Sequence, residues 1–285
     1  MTLLKSIANL RNDKGSKGVI ASYILEHLES IEQLSMDEIA QETYVSKSSL
    51  VRFAQYLHFK GWKDFIPVLI REKHYEDSHY SDIDHNLPFT EQDTMESMVQ
   101  KIAIIEKESI QDTADKLRTK DLEKAVQLLK KSARIVIFGL SPNNYLASVF
   151  RRKMMSIGKT VEIAQAGEFG LTANSMDKED LALIISYSGN APESETLRIL
   201  PSLQKKKVAL IGLTKETDNY VRQTIETCFT ICTRESYFKK IGNFSTEESI
   251  LFILNALYAA YFKSNYWKNY SYRLHILEDL EKERK

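Results

Sequence analysis

Five short apolar runs in the C-terminal half of the chain most constrain its fold. They lie at residues 134–138 (RIVIF), 160–163 (TVEI), 181–185 (LALII), 208–211 (VALI) and 228–232 (CFTIC). Helical segments of roughly 8–15 residues separate most of them. Apolar strands alternating with helices predict a parallel sheet covered on both faces. Right-handed crossovers then bring the loops after the first and third strands to one edge, at the strands' carboxyl ends, where such sheets bind ligands.

Those two loops read GLSPNN (139–144) and SYSGNAPE (186–193), and each is expected to enter a helix. A helix N-terminus offers unpaired N–H groups and a positive dipole end, and Ser and Asn side chains add neutral donors. The combination suits an oxyanion, above all a phosphate. Glu193 is an anion at the same end; it either caps its helix or accepts a hydroxyl from a ligand. For one loop alone, a plain Ser/Asn-capped helix start would suffice. Two on one edge favour a shared anion site.

The first 75 residues contain no convincing strand and predict an all-α module. Residues 18–28 form an amphipathic helix with Val19, Ile20, Tyr23, Ile24 and Leu28 on one side. Two short helices follow. Ser35 with Glu38 makes a capping box, and Ser46 caps the second helix, which buries Leu50, Phe53, Ala54 and Leu57. Its other face carries Lys47, Ser48, Ser49, Arg52, Gln55 and Tyr56, with Lys60 and Lys63 extending the basic edge. Short donors plus cations at a helix N-terminus are what a recognition helix brings to base edges and phosphates in a major groove. A helical pair with a solvated basic face is the bland alternative. Trp62, Phe65 and Leu69 anchor a last helix.

Residues 76–93 are polar, acidic and aperiodic, and read as a linker. From Thr94 a long helix runs to about Lys116 on the period of Met95, Met98, Val99, Ile102 and Ile105. Near the C-terminus, residues 246–262 are apolar on most of their circumference, more than one sheet face can cover, and residues 261–272 are rich in Tyr. Both point to association between copies of the chain.

With 39 basic and 39 acidic residues, no chain-wide positive field exists, so a nucleic-acid surface must be a local patch. No apolar run reaches the ~20 residues of a membrane span, and the N-terminus lacks signal-peptide features; the cytoplasm is the expected location. Cys228 and Cys232 have no partner pattern for a metal and read as structural thiols, so neither metal nor cofactor is expected.

SYSGNAPE resembles the SxSGxTxE signature of the SIS (sugar isomerase) domain, and IVIFGLSPNNYLASVFRRKMMSIGKTVEI resembles that domain's first strand, GxGxS loop and helix. Ahead of it, LSMDEIAQETYVSKSSLVRFAQYLHFKGWKDF is similar to the helix-turn-helix of the RpiR family of bacterial transcription regulators. The resemblance spans nearly the whole chain. It implies an α/β protein: a helix-turn-helix domain over 1–75, a linker over 76–93, and over 94–285 a three-layer αβα SIS domain with a five-stranded parallel sheet. It further implies operator DNA and a sugar-phosphate effector as partners, and a homodimer or homotetramer. The ligand set falls on Ser141, Asn143, Asn144, Ser186, Ser188, Gly189, Asn190 and Glu193. The chain departs from the patterns at Ser141 and Asn143 (for Gly and Ser), at Ala191 (for Thr) and at Tyr44, where the turn usually has Gly.

An aldose–ketose isomerase is the competing class. It needs a general base and usually a second acid–base group. None of the six His lies between Lys120 and Phe262. Glu193, Glu247 or Glu248 could serve as a base, and His275 could reach a neighbouring copy's site. The appended helix-turn-helix favours a sensor over an enzyme. A pure interaction protein, the third class, fits poorly with the retained SxSG loop and Arg52.

Overall fold

The computed structural model describes residues 3–28, 30–79, 81–236 and 238–282. The chain divides into two compact units, Met1–Asp82 and Ile83–Lys285.

The first unit is all helical: α1 (Leu3–Leu10), α2 (Ser16–Glu26), α3 (Met36–Glu42), α4 (Lys47–Tyr56) and α5 (Trp62–His79). Ile7, Ile20, Ile24, Ile39, Leu50, Phe53, Phe65 and Leu69 form its core. The Ser35 capping box is present, with the Glu38 carboxylate accepting from the Ser35 N–H at 2.7 Å and the Ser35 hydroxyl from the Glu38 N–H at 3.2 Å. These bonds hold the Glu38 carboxyl below its ordinary pKa. Val19, expected in the core, is exposed. Its place is taken by Gly18, where an added Cβ would lie 2.1 Å from the Asp13 carbonyl oxygen, so the α1–α2 connection crosses that face of α2.

Helix α3 ends with Val45 N–H donating to Ala40 O at 3.1 Å and Tyr44 N–H to Gln41 O at 3.4 Å. That is the Schellman pattern, which places one residue in the left-handed region, usually Gly. Here it is Tyr44, at φ 53°. His58 does the same at the end of α4, at φ 68°. A non-glycine residue in this conformation costs roughly 1 kcal/mol.

The second unit contains α6 (Met95–Lys116), α7 (Thr119–Lys131), β1 (Ile135–Phe138), α8 (Asn143–Met155), β2 (Val161–Ile163), α9 (Phe169–Ser175), β3 (Leu181–Ile185), α10 (Leu200–Lys205), β4 (Ala209–Thr214), α11 (Tyr220–Thr224), β5 (Thr227–Thr230), α12 (Phe244–Lys263) and α13 (Tyr266–Lys282). All strand pairs are parallel, in the order β2-β1-β3-β4-β5. Period-two alternation sends Ile135, Ile137, Leu181 and Leu183 into a core with Phe150, Ile253 and Leu257. Val136, Phe138, Ala182 and Ile184 enter the opposite core with Phe169, Leu200 and Val221. The sheet is therefore buried on both faces, as its apolar runs require.

Two expectations differ. The residues after β3 form turns rather than a helix, and α10 begins only at Leu200; Pro192 and short polar residues favour turns there. The stretch 76–93 is split: α5 runs to His79, while residues 83–93 belong to the second unit.

His85 shows why. It is buried, with its Nδ1 2.6 Å from Ser245 Oγ and its Nε2 3.0 Å from Glu108 Oε2. Ser109 Oγ donates to Ser245 O, and Thr113 Oγ1 lies 2.8 Å from Ser249 Oγ. Helices α6 and α12 thus meet through paired polar groups, and the apolar Met95 and Val99 of α6 remain exposed. Substituting His85 by Ala is expected to destabilise this unit by about 2–3 kcal/mol, because a buried pair loses one partner. His85→Gln, which keeps an amide, should cost less. Chemical denaturation followed by circular dichroism measures the difference.

Candidate DNA-binding and ligand-binding sites

Helix α4 presents a polar face because its apolar residues Leu50, Phe53 and Ala54 are fixed inward against the first unit's core. Lys47, Ser48, Arg52, Gln55, Tyr56, Lys60 and Lys63 are exposed, and Ser49 is half-buried. The Ser46 hydroxyl accepts from Ser49 N–H at 3.2 Å and lies 3.0 Å from Ser48 Oγ. Arg52 Nη2 donates to Ser49 Oγ at 3.3 Å. Lys47 pairs with Asp37 at 2.5 Å across the turn, both side chains exposed. An exposed pair of this kind is worth about 0–1 kcal/mol, so a phosphate can displace Asp37 at little cost. Sequence reasoning missed Lys17, whose Nζ sits 3.5 Å from the centroid of the Tyr56 ring and adds a cation beside the face. Tyr44, almost fully exposed, stands at the turn before α4.

In the second unit, β1 pairs directly with β3, Phe138 opposite Ile184, while β2 lies on the other side of β1. The chain order reverses between β1 and β3, and open α/β sheets bind ligands at such switch points. The loops 139–142 and 186–191 leave the sheet there side by side. Asn143 Nδ2 reaches across to Ile185 O at 3.4 Å. Pro142, at the N-cap of α8, offers no side-chain cap; Asn144 Oδ1 accepts from Tyr145 N–H at 3.0 Å and Leu140 O from Asn143 N–H at 2.8 Å. Ser186, Ser188, Asn143 and Asn144 are half-buried; Ser141, Asn190 and Glu193 are exposed.

Gly189 is buried at φ 65°, and an added Cβ would lie 2.5 Å from both Thr214 Oγ1 and Asn219 Oδ1. Thr214 Oγ1 donates to Tyr187 O at 3.2 Å, Lys215 N–H to the same oxygen at 3.0 Å, and Val221 N–H to Gly189 O at 3.2 Å. The loop after β3 is therefore locked onto the loop after β4. Asn219 also caps α11 through Arg222 N–H at 3.1 Å. Neither Thr214 nor Asn219 carries a motif that marks it in the sequence.

With turns in place of a helix after β3, Glu193 has no helix start of its own to cap. Glu195 Oε1 accepts from Gly167 N–H at 2.5 Å and Phe169 N–H at 3.5 Å, at the start of α9. Burial raises the Tyr187 phenol above its ordinary pKa, and the nearby Glu235 carboxylate adds to the rise. Glu235 is buried and accepts from Ser245 N–H and Thr246 Oγ1, each at 2.6 Å, and from Lys240 at 3.2 Å. The Cys228 and Cys232 thiols are pushed up to about 11 by burial. Among the described residues, no group of three or more His, Cys, Asp or Glu is arranged to hold a metal, and no helix is long and apolar enough to cross a membrane.

A helix-turn-helix unit followed by a five-stranded parallel sheet with two polar loops at its switch point defines a DNA-binding protein joined to a SIS-type domain. The helix-turn-helix domain model of the rpiR family matches residues 1–74, and the SIS domain model matches residues 128–260. The chain belongs to the RpiR family of helix-turn-helix transcriptional regulators that carry a SIS domain. An uncharacterized HTH-type transcriptional regulator of Haemophilus influenzae is 26% identical over 246 residues, covering 86% of this chain and 84% of that one. Among solved structures, the Vibrio vulnificus NanR protein complexed with ManNAc-6P is similar over 98% of both chains, with a TM-score of 0.59 and 18% identity. The sugar isomerase domain of an RpiR transcription factor from Sphaerobacter thermophilus has a TM-score of 0.54 and 14% identity, over 63% of this chain and 97% of its own. At these identities the two structures establish the shared fold.

Proposed function

We propose that the SIS domain senses a small phosphorylated sugar or related anion without turning it over, and that occupancy changes the affinity of α4 and its surroundings for operator DNA in the cytoplasm. The observation that carries this is the adjacency of the two loops at the β1/β3 switch point. Ser186, Ser188 and the Gly189 backbone hold the anion, with Ser141, Asn143 and Asn144 opposite. Asn190 and Glu193 are available to sugar hydroxyls. The ligand class is supported by the NanR structure, which shares this chain's fold and is complexed with ManNAc-6P. A non-catalytic role is supported by His85, both of whose ring nitrogens are engaged by Ser245 and Glu108, and by His275, which lies exposed on α13 beside Asp279. The protein acts as a homodimer or homotetramer.

Replacing Ser186 and Ser188 together by Ala is expected to abolish ligand binding in calorimetry while basal DNA binding persists. A broad sugar-phosphate panel that gives no binding to the wild-type protein, or enzyme-like turnover of any member, would refute the proposal.

A further inference from the structure

We propose that Lys17, from α2, contacts the phosphate backbone of operator DNA, and that the Tyr56 ring positions it for that contact. The contact rests on the reading of α4 as the recognition helix and adds to it a cation from a different helix. Ser48, Arg52 and Tyr56 follow one another at intervals of four and so form one stripe along α4. A recognition helix reads base edges with its N-terminal residues, while its C-terminal end and the elements beside it meet the backbone. Tyr56 is the last residue of α4, about 12 Å along the axis from Ser48, and is 51% exposed. The backbone end of the stripe therefore holds an aromatic ring with no charge of its own.

Lys17 supplies that charge. It lies in the first turn of α2, and its Nζ stands 3.5 Å from the centroid of the Tyr56 ring. The negative face of a ring attracts an ammonium within about 6 Å, so the pair holds a long, flexible side chain in one place. Lys17 is also half-buried, which leaves it less rotamer freedom to lose on binding. Other cations of this unit are committed: Lys47 pairs with Asp37 and Arg11 with Glu26. Among the described residues no carboxylate pairs with Lys17. A phosphate thus meets its ammonium without displacing an acidic partner. An ammonium has three donors and no acceptor, and the ring covers only one side of it, so a donor is left for a phosphate oxygen.

The test titrates the full chain, at several salt concentrations, against a DNA fragment from its own promoter and a random-sequence duplex of equal length. Lys17→Met, which keeps the stem and removes the charge, should weaken both duplexes by the same factor and reduce the slope of log affinity against log salt by about 0.9. Lys17→Arg, which keeps a cation over the ring, should restore that slope. Tyr56→Leu should weaken promoter binding about two- to fivefold, the value of an exposed cation–π pair, and Tyr56→Phe should recover that loss. In the Lys17→Met background Tyr56→Leu should cost nothing further. An unchanged salt slope in Lys17→Met would overturn the proposal. A Tyr56→Leu loss that persists undiminished without the Lys17 charge, or that Tyr56→Phe reproduces, would overturn the positioning role, since the phenol would then touch DNA itself. Unchanged binding in Lys47→Ala/Arg52→Ala would remove α4 as the recognition helix and this contact with it. A loss in that variant beside an unchanged Lys17→Met slope would remove Lys17 alone.

Discussion

Replacing Lys47 and Arg52 together by Ala is expected to lower operator affinity by about 2–5 kcal/mol, roughly 30- to 5000-fold. Arg52 stands exposed on α4, one turn after Ser48 and Ser49. A bidentate base contact is worth about 1–3 kcal/mol of discrimination. On the proposed reading Lys47 is a phosphate contact, and losing it should reduce the slope of log affinity against log salt by about 0.9. Its release from Asp37 costs little, because both members of that pair face solvent. Both side chains lie outside the core, so sugar-phosphate binding and thermal stability should stay unchanged. Salt-dependent gel-shift titrations separate the two contributions: the single Arg52 variant should relax sequence preference, and the single Lys47 variant should weaken all sequences alike.

Replacing Gly189 by Val is expected to abolish the ligand response and destabilise the SIS domain by about 3–5 kcal/mol. Two costs add. The left-handed conformation at φ 65° disfavours any side chain by about 1–2 kcal/mol, and more for a branched one. The new Cβ also meets Thr214 Oγ1 and Asn219 Oδ1 at 2.5 Å. Both of those atoms are tied into hydrogen bonds that position the loops after β3 and β4 and the start of α11. Relief of the clash must move the Ser186–Ser188 segment and with it the proposed anion donors. Thr214→Ala with Gly189→Ala should recover part of the lost stability, because one of the two close contacts is removed. Calorimetric unfolding with and without ligand reads both effects.

The sheet was legible because its strands are apolar on both faces, a pattern few other elements share. The capping box at Ser35 and the inward face of α4 were legible for the same reason: a local rule sufficed. Strand order was not, since pairing of β1 with β3 is settled by long-range packing. His85 escaped notice because a polar, acidic segment reads as solvated, and only the partners Glu108 and Ser245, distant in sequence, offset the cost of burying it. Glu195, which binds the start of α9, escaped notice because its partners Gly167 and Phe169 lie on a loop distant in sequence. The gap in the SxSGxTxE pattern at Ala191 is partly answered nearby: Thr214, buried behind Gly189, fixes the loop from the adjoining strand.

Coupling of a sugar-phosphate site to DNA affinity within one chain is tested most directly by fluorescence anisotropy. A DNA fragment from the chain's own promoter is titrated with the full-length protein in the presence and absence of each member of a sugar-phosphate panel. At least one member should shift the midpoint by roughly 5- to 150-fold, the range of a coupling of about 1–3 kcal/mol. That shift should vanish in the Ser186→Ala/Ser188→Ala variant while its ligand-free midpoint matches the wild type. Superimposable wild-type curves across the panel, with calorimetry showing that a panel member binds, would contradict the coupling.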